Sequence, residues 1–199
     1  NNENNFNATP ISAPRFCNVT LVGARGQAGG AVDSRGALLR RGTMGKISHN
    51  VIMNWNTSAL QMRDKATLDR ACVNASTLTG DTLLQNSVFF GNAALAQNHS
   101  SCVDGGACNC STTQFFALQT GNVTDESCNP IDGSSSCDPT FGGGSGQCLP
   151  VPARACVGGK PANCTSIDPT FVNTTYAGAF APGAGADWAQ APWVNLATN

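Results

Sequence analysis

Three segments of this chain are variants of one another: Phe16-Cys17-Asn18-Val19-Thr20-Leu21-Val22-Gly23, Ile47-Ser48-His49-Asn50-Val51-Ile52-Met53-Asn54 and Leu84-Gln85-Asn86-Ser87-Val88-Phe89-Phe90-Gly91-Asn92. Aligned on Asn18, Asn50 and Asn86, they stand 32 and 36 residues apart. A second related pair, 36–41 and 58–63, is interleaved with them at an offset of 22. A recurrence of this length marks stacked units, each of which buries its apolar face only against its neighbours. The units are short, β-rich and joined by Gly and Asn turns. The expected fold is therefore all-β, a parallel β-helix. Long stretches of 3.6-residue periodicity are missing; the best helix candidate, 59–71, is interrupted by Asp64 and Thr67 and fits strand plus loop as well.

The triplet at Asn18 sets an expected facing. Residues i and i+2 of a strand share a face, so a sugar-bearing Asn18 points outward with Thr20 and turns Cys17, Val19 and Leu21 inward. By the same alignment Val51, Met53 and Phe89 face the interior and stack along the axis. Ile52 and Val88 are then outward and need a cover, either a loop or a partner. The alternative is a ladder in which the aligned Asn side chains stack inside a turn.

Beyond the repeats the chain changes character. Eight of ten Cys (Cys102, Cys108, Cys110, Cys128, Cys137, Cys148, Cys156, Cys164) fall between 102 and 164, with Cys17 and Cys72 upstream. An even, dense set of this kind reads as a disulfide framework, formed in an oxidising compartment, whose pairing spacing alone leaves open. Zinc is the competing reading. It is disfavoured because Cys108-x-Cys110 is the only close pair, while His49 and His99 lie outside the cluster. The expected organisation is an extended N-terminal arm (1–15), β-helix rungs (16–100), a loop-rich Cys-rich insertion (101–165), and a closing rung with a tail (166–199). Two Asp-Pro-Thr-Phe copies, 138–141 and 168–171, read as equivalent corners. The Gly run at 142–146 reads as a linker, and the Ala/Gly/Pro-rich end, with Trp188 and Trp193, as a tail lying along the end of the stack.

Nine Asn-x-Ser/Thr triplets are present, at Asn7, Asn18, Asn56, Asn74, Asn98, Asn109, Asn122, Asn163 and Asn173. Chance placement gives about three. N-glycans are bulky and lie on the surface, so the expectation is an extracellular or cell-surface glycoprotein of the secretory pathway. The net charge of −1 and 12 % charged residues provide no basic stripe for nucleic acid. No apolar run approaches the length of a membrane span. The Asn-rich start lacks the basic and apolar parts of a signal peptide, so any leader is expected upstream, or the chain is the last part of a longer polypeptide.

The segments quoted resemble a group of secreted bacterial right-handed β-helix proteins. The resemblance rests on 18–23, on Leu39-Arg40-Arg41-Gly42-Thr43 followed by 47–50, and on the ending Tyr176-Ala177-Gly178-Ala179-Phe180, Asp187-Trp188 and Trp193. It implies a right-handed solenoid and secretion, and carries over no catalytic residues. The Cys-rich stretch looks like an insertion relative to that group, and the sequon density looks eukaryotic.

Polysaccharide cleavage on a β-helix needs clustered carboxylates, as acid and base or as calcium ligands. Acidic residues here are few: Asp64 and Asp69 lie beside Lys65 and Arg70, Asp81 follows, and Glu occurs only at 3 and 126. His49 reads as a packed or surface His rather than a base, and Arg40-Arg41 as bracing a turn. No catalytic residue, metal or cofactor is assigned. The expected function is that of a non-catalytic structural glycoprotein, a subunit of a filament or coat that assembles head-to-tail with copies of itself, lending the arm or the tail to a neighbour. A carbohydrate-binding or adhesive module for extracellular polysaccharide, built on Trp55, Trp188 and Trp193, is the second reading. A polysaccharide lyase or hydrolase is the third.

Overall fold

A computed structural model of the chain describes residues 5–23, 34–100, 102, 108–124 and 162–179. The chain makes three successive passes through three parallel sheets. The first pass contributes β1 (Arg15–Cys17), β2 (Thr20–Val22) and β3 (Arg35–Leu39); the second, β4 (Lys46–Ser48), β5 (Val51–Met53) and β6 (Ser58–Met62). After helix α1 (Lys65–Ala71) and the hairpin β7 (Cys72–Asn74) and β8 (Thr77–Leu78), the third contributes β9 (Leu83–Gln85), β10 (Val88–Phe90) and β11 (Ala96–Gln97). The sheets are ordered β1-β4-β9, β2-β5-β10 and β3-β6-β11, so each strand pairs with its counterparts in adjacent passes. The expected all-β, parallel organisation is present.

The register differs from the expected alignment by one residue. Cys17 lies opposite Ser48 and Gln85, and Thr20 opposite Val51 and Val88. Equivalent residues therefore stand 31 and 37 apart rather than 32 and 36, as for Val19 to Asn50 and Asn50 to Ser87. The counterpart of Asn18 and Asn86 is His49, not Asn50. The repeated property at this corner is backbone conformation, with φ of 61°, 56° and 52° at Asn18, His49 and Asn86 and 73° at Gly121 one pass later. The interleaved pair is displaced in the same way: Leu39 lies opposite Met62, an offset of 23 like that from Arg41 to Asp64.

A slip of one residue exchanges the faces of a strand, and the facing is corrected accordingly. Leu21, Ile52 and Phe89 are in register, and Ile52 and Phe89 are fully buried in the main core with Ile47, Leu60, Met62, Leu68 and Leu84. Val19, Val51 and Phe89 do not line up. Val51 and Met53 occupy the opposite face with Val88, under a cover supplied by Ala177. Cys17 also faces outward and is bonded to Cys164. Leu21 and Phe89 keep their expected inward facing.

At the polar corner between the first and second sheets the expected stack of Asn18, Asn50 and Asn86 does not form; a ladder instead runs through Asn50, Ser87 and Asn122, each one position after a left-handed corner residue. Asn50 Oδ1 accepts from Val19 N at 2.6 Å, and Ser87 Oγ accepts from Asn50 N at 3.2 Å. Asn122 Oδ1 then accepts from Ser87 N at 3.0 Å, and its Nδ2 donates to Leu84 O at 2.9 Å. At the next corner Asn92 Oδ1 accepts from Trp55 N while Nδ2 donates to Ile52 O. Backbone groups that leave the ladders where the strands bend are satisfied in this way.

The two ends of the stack differ. Residues 108–124, within the Cys-rich stretch, hold α2 (Thr112–Ala117), opened by a Ser111–Gln114 capping box. Phe115 of α2 is fully buried, and Phe116 meets Phe89 edge-on at 5.2 Å. Val123 then bridges to Val88, 35 positions being the Ser87–Asn122 spacing. The third pass is therefore covered. At the first pass, Phe16 is in register with Ile47 and Leu84, which are 6 % and 0 % exposed, yet is itself 49 % exposed. Among the described residues, nothing covers it as α2 covers Phe89.

The described parts of both chain extensions contact their own molecule. Ser12 O accepts from Met44 N at 2.8 Å and Pro14 O from Lys46 N at 2.9 Å, so the described part of the arm is held beside 42–46 rather than free to be lent. Residues 162–179 form a strap: Ala162 and Thr174 bridge, a 3-10 turn spans Cys164–Ser166, and Arg15 pairs with Asp168 at 2.8 Å. Gly178 N donates to His49 O and Ala179 N to Thr20 Oγ1, both at 2.9 Å. Of the expected tail only 177–179 are described, and these lie against the side of the stack. Gly178, at φ 90°, has room for no Cβ, which would stand 2.8 Å from Thr20 Oγ1 and Val51 Cγ2.

Candidate functional site

Of the acidic residues singled out in the sequence, Asp64 and Asp69 lie on one open cleft of about 540 Å³, lined by Asn5, Phe6, Asn7, Asp64, Lys65, Ala66, Asp69 and Arg70. Of the expected helix candidate 59–71, the first part is β6 and only 65–71 is helical. Asp64 turns the chain between them with φ 66° and caps α1, its Oδ1 accepting from Thr67 N at 3.0 Å and Thr67 Oγ1 at 2.9 Å. Its Oδ2 accepts from Arg41 N. One turn on, Asp69 Oδ2 is paired with Lys65 at i,i+4 and Oδ1 accepts from Asn109 N at 2.8 Å. Arg70 donates to Asn7 Oδ1 at 2.8 Å and to Gly42 O at 3.4 Å.

Every oxygen of the two carboxylates is therefore already accepting from a protein donor. A base needs a lone pair aimed at substrate, and a calcium site needs several oxygens converging on one point. Asp81 does not join the cleft. The pattern of Asp64 and Asp69 is that of a helix cap and a loop tie.

A second cluster was not legible in the sequence. Cys17, His49 and Cys164 present their sulfur and nitrogen atoms within 4.8 Å of one another. The two sulfurs are bonded to each other, so neither is the thiolate that a metal requires. His49 is buried; Ser48 Oγ lies 2.7 Å from Nδ1, and Asn163 N donates to Nε2 at 3.4 Å. The sequence placed His49 outside the cysteine cluster, whereas the strap carries Cys164 to it across the fold. Spacing along the chain held no signal for that meeting.

Of two further disulfides, Cys72–Cys110 ties the end of α1 to the segment before α2, and Cys102–Cys108 joins residues six positions apart. Cys128, Cys137, Cys148 and Cys156 lie outside the described residues, as do the 138–141 copy, the Gly run at 142–146, Trp188 and Trp193. The 168–171 copy is a turn in which Asp168 accepts from Thr170 N and Oγ1. Trp55 is half-buried, packed against the main core beside Gly23 and Gly36. Of the sequon residues, Asn7, Asn74, Asn109, Asn163 and Asn173 are exposed, whereas Asn18, Asn56, Asn98 and Asn122 are half-buried. No helix among the described residues is long and apolar enough to cross a membrane.

A family model described as a pectate-lyase like beta helix domain matches residues 1–130. No curated protein and no solved structure matches the chain.

Proposed function

The chain belongs to the pectate-lyase-like β-helix domain family, and within it we propose a non-catalytic extracellular structural glycoprotein, folded as a right-handed solenoid, that joins copies of itself through the first pass. The observation that carries this reading is the exposure of Phe16 at a register position that is core in the next two passes. An edge layer with a core-type residue in the open is a template for another chain. The opposite end is covered by α2, which disfavours strand-on-strand stacking there and so argues against a head-to-tail fibre of that kind. Two first-pass ends meeting about a two-fold axis give a closed, isologous pair, the unit from which a coat is built.

The disulfides support an oxidising compartment. The engaged carboxylates of the cleft favour the non-catalytic reading over a lyase or hydrolase, although the family name fits the latter. Electron microscopy of native material, together with digestion of a panel of acidic and neutral polysaccharides, tests the proposal. Paired or lattice-forming particles and no released sugar are expected. Turnover abolished by Asp64→Asn or Asp69→Asn would replace it with the enzymatic reading.

A further inference from the structure

We propose that the sequons divide by chemistry of their side-chain amides, so that Asn7, Asn74, Asn163 and Asn173 carry N-linked oligosaccharide while Asn122 stays bare. The inference rests on the glycoprotein reading above and adds which sites are used. Oligosaccharyl transfer forms a C–N bond between Nδ2 and the anomeric carbon of a lipid-diphosphate-linked oligosaccharide. The lipid diphosphate leaves with the electrons of the broken C–O bond, and Nδ2 gives up one of its two protons. Transfer reaches the chain before or during folding, so the native structure selects the sites at which a sugar is compatible with the finished fold. A compatible site keeps Nδ2 in solvent and asks nothing of it.

Four sequons meet that condition in the same manner. Each Asn is exposed, and in each the fold uses only the carbonyl oxygen. Asn7 Oδ1 accepts from Arg70 at 2.8 Å. Asn74 Oδ1 accepts from Ser76 N and Oγ, both at 2.9 Å. Asn163 Oδ1 accepts from Thr165 Oγ1, and Asn173 Oδ1 from Thr165 N, both at 3.0 Å. Among the described residues, Nδ2 of none of the four has a partner. A sugar on that nitrogen leaves these contacts in place, because the oxygen is not altered.

Asn122 is the reverse case. Both ends of its amide belong to the corner ladder: Oδ1 receives Ser87 N at 3.0 Å and Nδ2 holds Leu84 O at 2.9 Å, inside the pass that closes over β9 and β10. A sugar attached there sits where the third pass packs. The consequences on the surface are specific. Glycans at Asn163 and Asn173 cover the strap, and one at Asn7 stands on the wall of the Asp64–Asp69 cleft, narrowing it to any polymer.

The test is site-by-site mass spectrometry of the native-source protein after amidase release in heavy-oxygen water, which marks each formerly glycosylated Asn as labelled Asp. Label at Asn7, Asn74, Asn163 and Asn173 with unlabelled Asn122 is expected. Sugar on Asn122, or any of the four bare while other sequons carry label, overturns the division and leaves the glycoprotein reading standing. Label at no site overturns both. As a second arm, single Gln variants of the full chain are secreted from a eukaryotic host. Asn74→Gln is expected to lose the mass of one glycan with an unchanged circular dichroism spectrum. Asn122→Gln is expected to lose no glycan mass and to fall at least several-fold in secreted yield; a glycan-sized loss there is the contrary result.

Discussion

Asn18, His49, Asn86 and Gly121 turn the chain at the same corner in successive passes, all with left-handed backbone. That conformation costs most side chains about 1–2 kcal/mol and is tolerated best by Gly and Asn. Gly121 carries a second restriction, since a Cβ there would stand 1.9 Å from Asn86 Oδ1. Gly121→Ala is expected to destabilise by about 1–3 kcal/mol, and Asn86→Gly to be nearly neutral; urea midpoints compare them. Asp168 belongs to the same scale. Its carboxyl is held below its ordinary 3.8, chiefly by the Thr170 hydroxyl and N–H, with Arg15 adding to them. A lowered folded value means stability that is complete above the unfolded value and lost as pH falls through the folded one. The strap should therefore loosen on acidification below about pH 4, read by amide exchange at 162–179, and Asp168→Asn should flatten that dependence. The one-residue slip in the expected register also arises here. Identity of Asn50 with Asn18 and Asn86 is visible in the sequence, whereas shared φ at His49 is not. The face assignments of Val51, Ile52 and Met53 followed the visible match.

At the scale of elements, strands were more legible than helices. The β segments repeat and alternate in composition, so the three repeats that hold β1–β2, β4–β5 and β9–β10 and the interleaved pair on β3 and β6 are all visible in the sequence. Helix α2 spans only six residues, too short for a periodic pattern, although its capping box, Ser111 with Gln114, stands in the sequence. Its weight in the fold comes from burial. Phe115→Ala is expected to cost about 3–5 kcal/mol and to expose the β9–β10 end, seen as increased dye binding below the unfolding transition. The strap was not legible at all, because it depends on Cys17–Cys164, a closure across 147 positions. Replacing both cysteines by Ser is expected to cost about 2–5 kcal/mol. Amide protection at 162–179 should fall while that of β4, β5 and β6 persists; equal loss in both regions would mean that the strap and the stack unfold as one unit.

For the whole molecule, the repeats in the sequence disclosed the stacking of passes but not which end is finished. Composition is silent on ends, because the same apolar residue is core in the second pass and surface in the first. Phe16 shows this against Ile47 and Leu84. The described parts of the arm, 5–15, and of the tail, 177–179, expected to be lent to a neighbour, contact their own chain, and the surface proposed for self-association is the first-pass layer. Sedimentation velocity of the wild-type protein and of Phe16→Asp, over a range of concentrations, measures this directly. The account predicts a wild-type chain that sediments as a pair or larger assembly with concentration-dependent dissociation, and a variant that is monomeric at every concentration with an unchanged circular dichroism spectrum. A wild-type chain that stays monomeric throughout, or a Phe16→Asp chain that assembles as well as wild type, would contradict it.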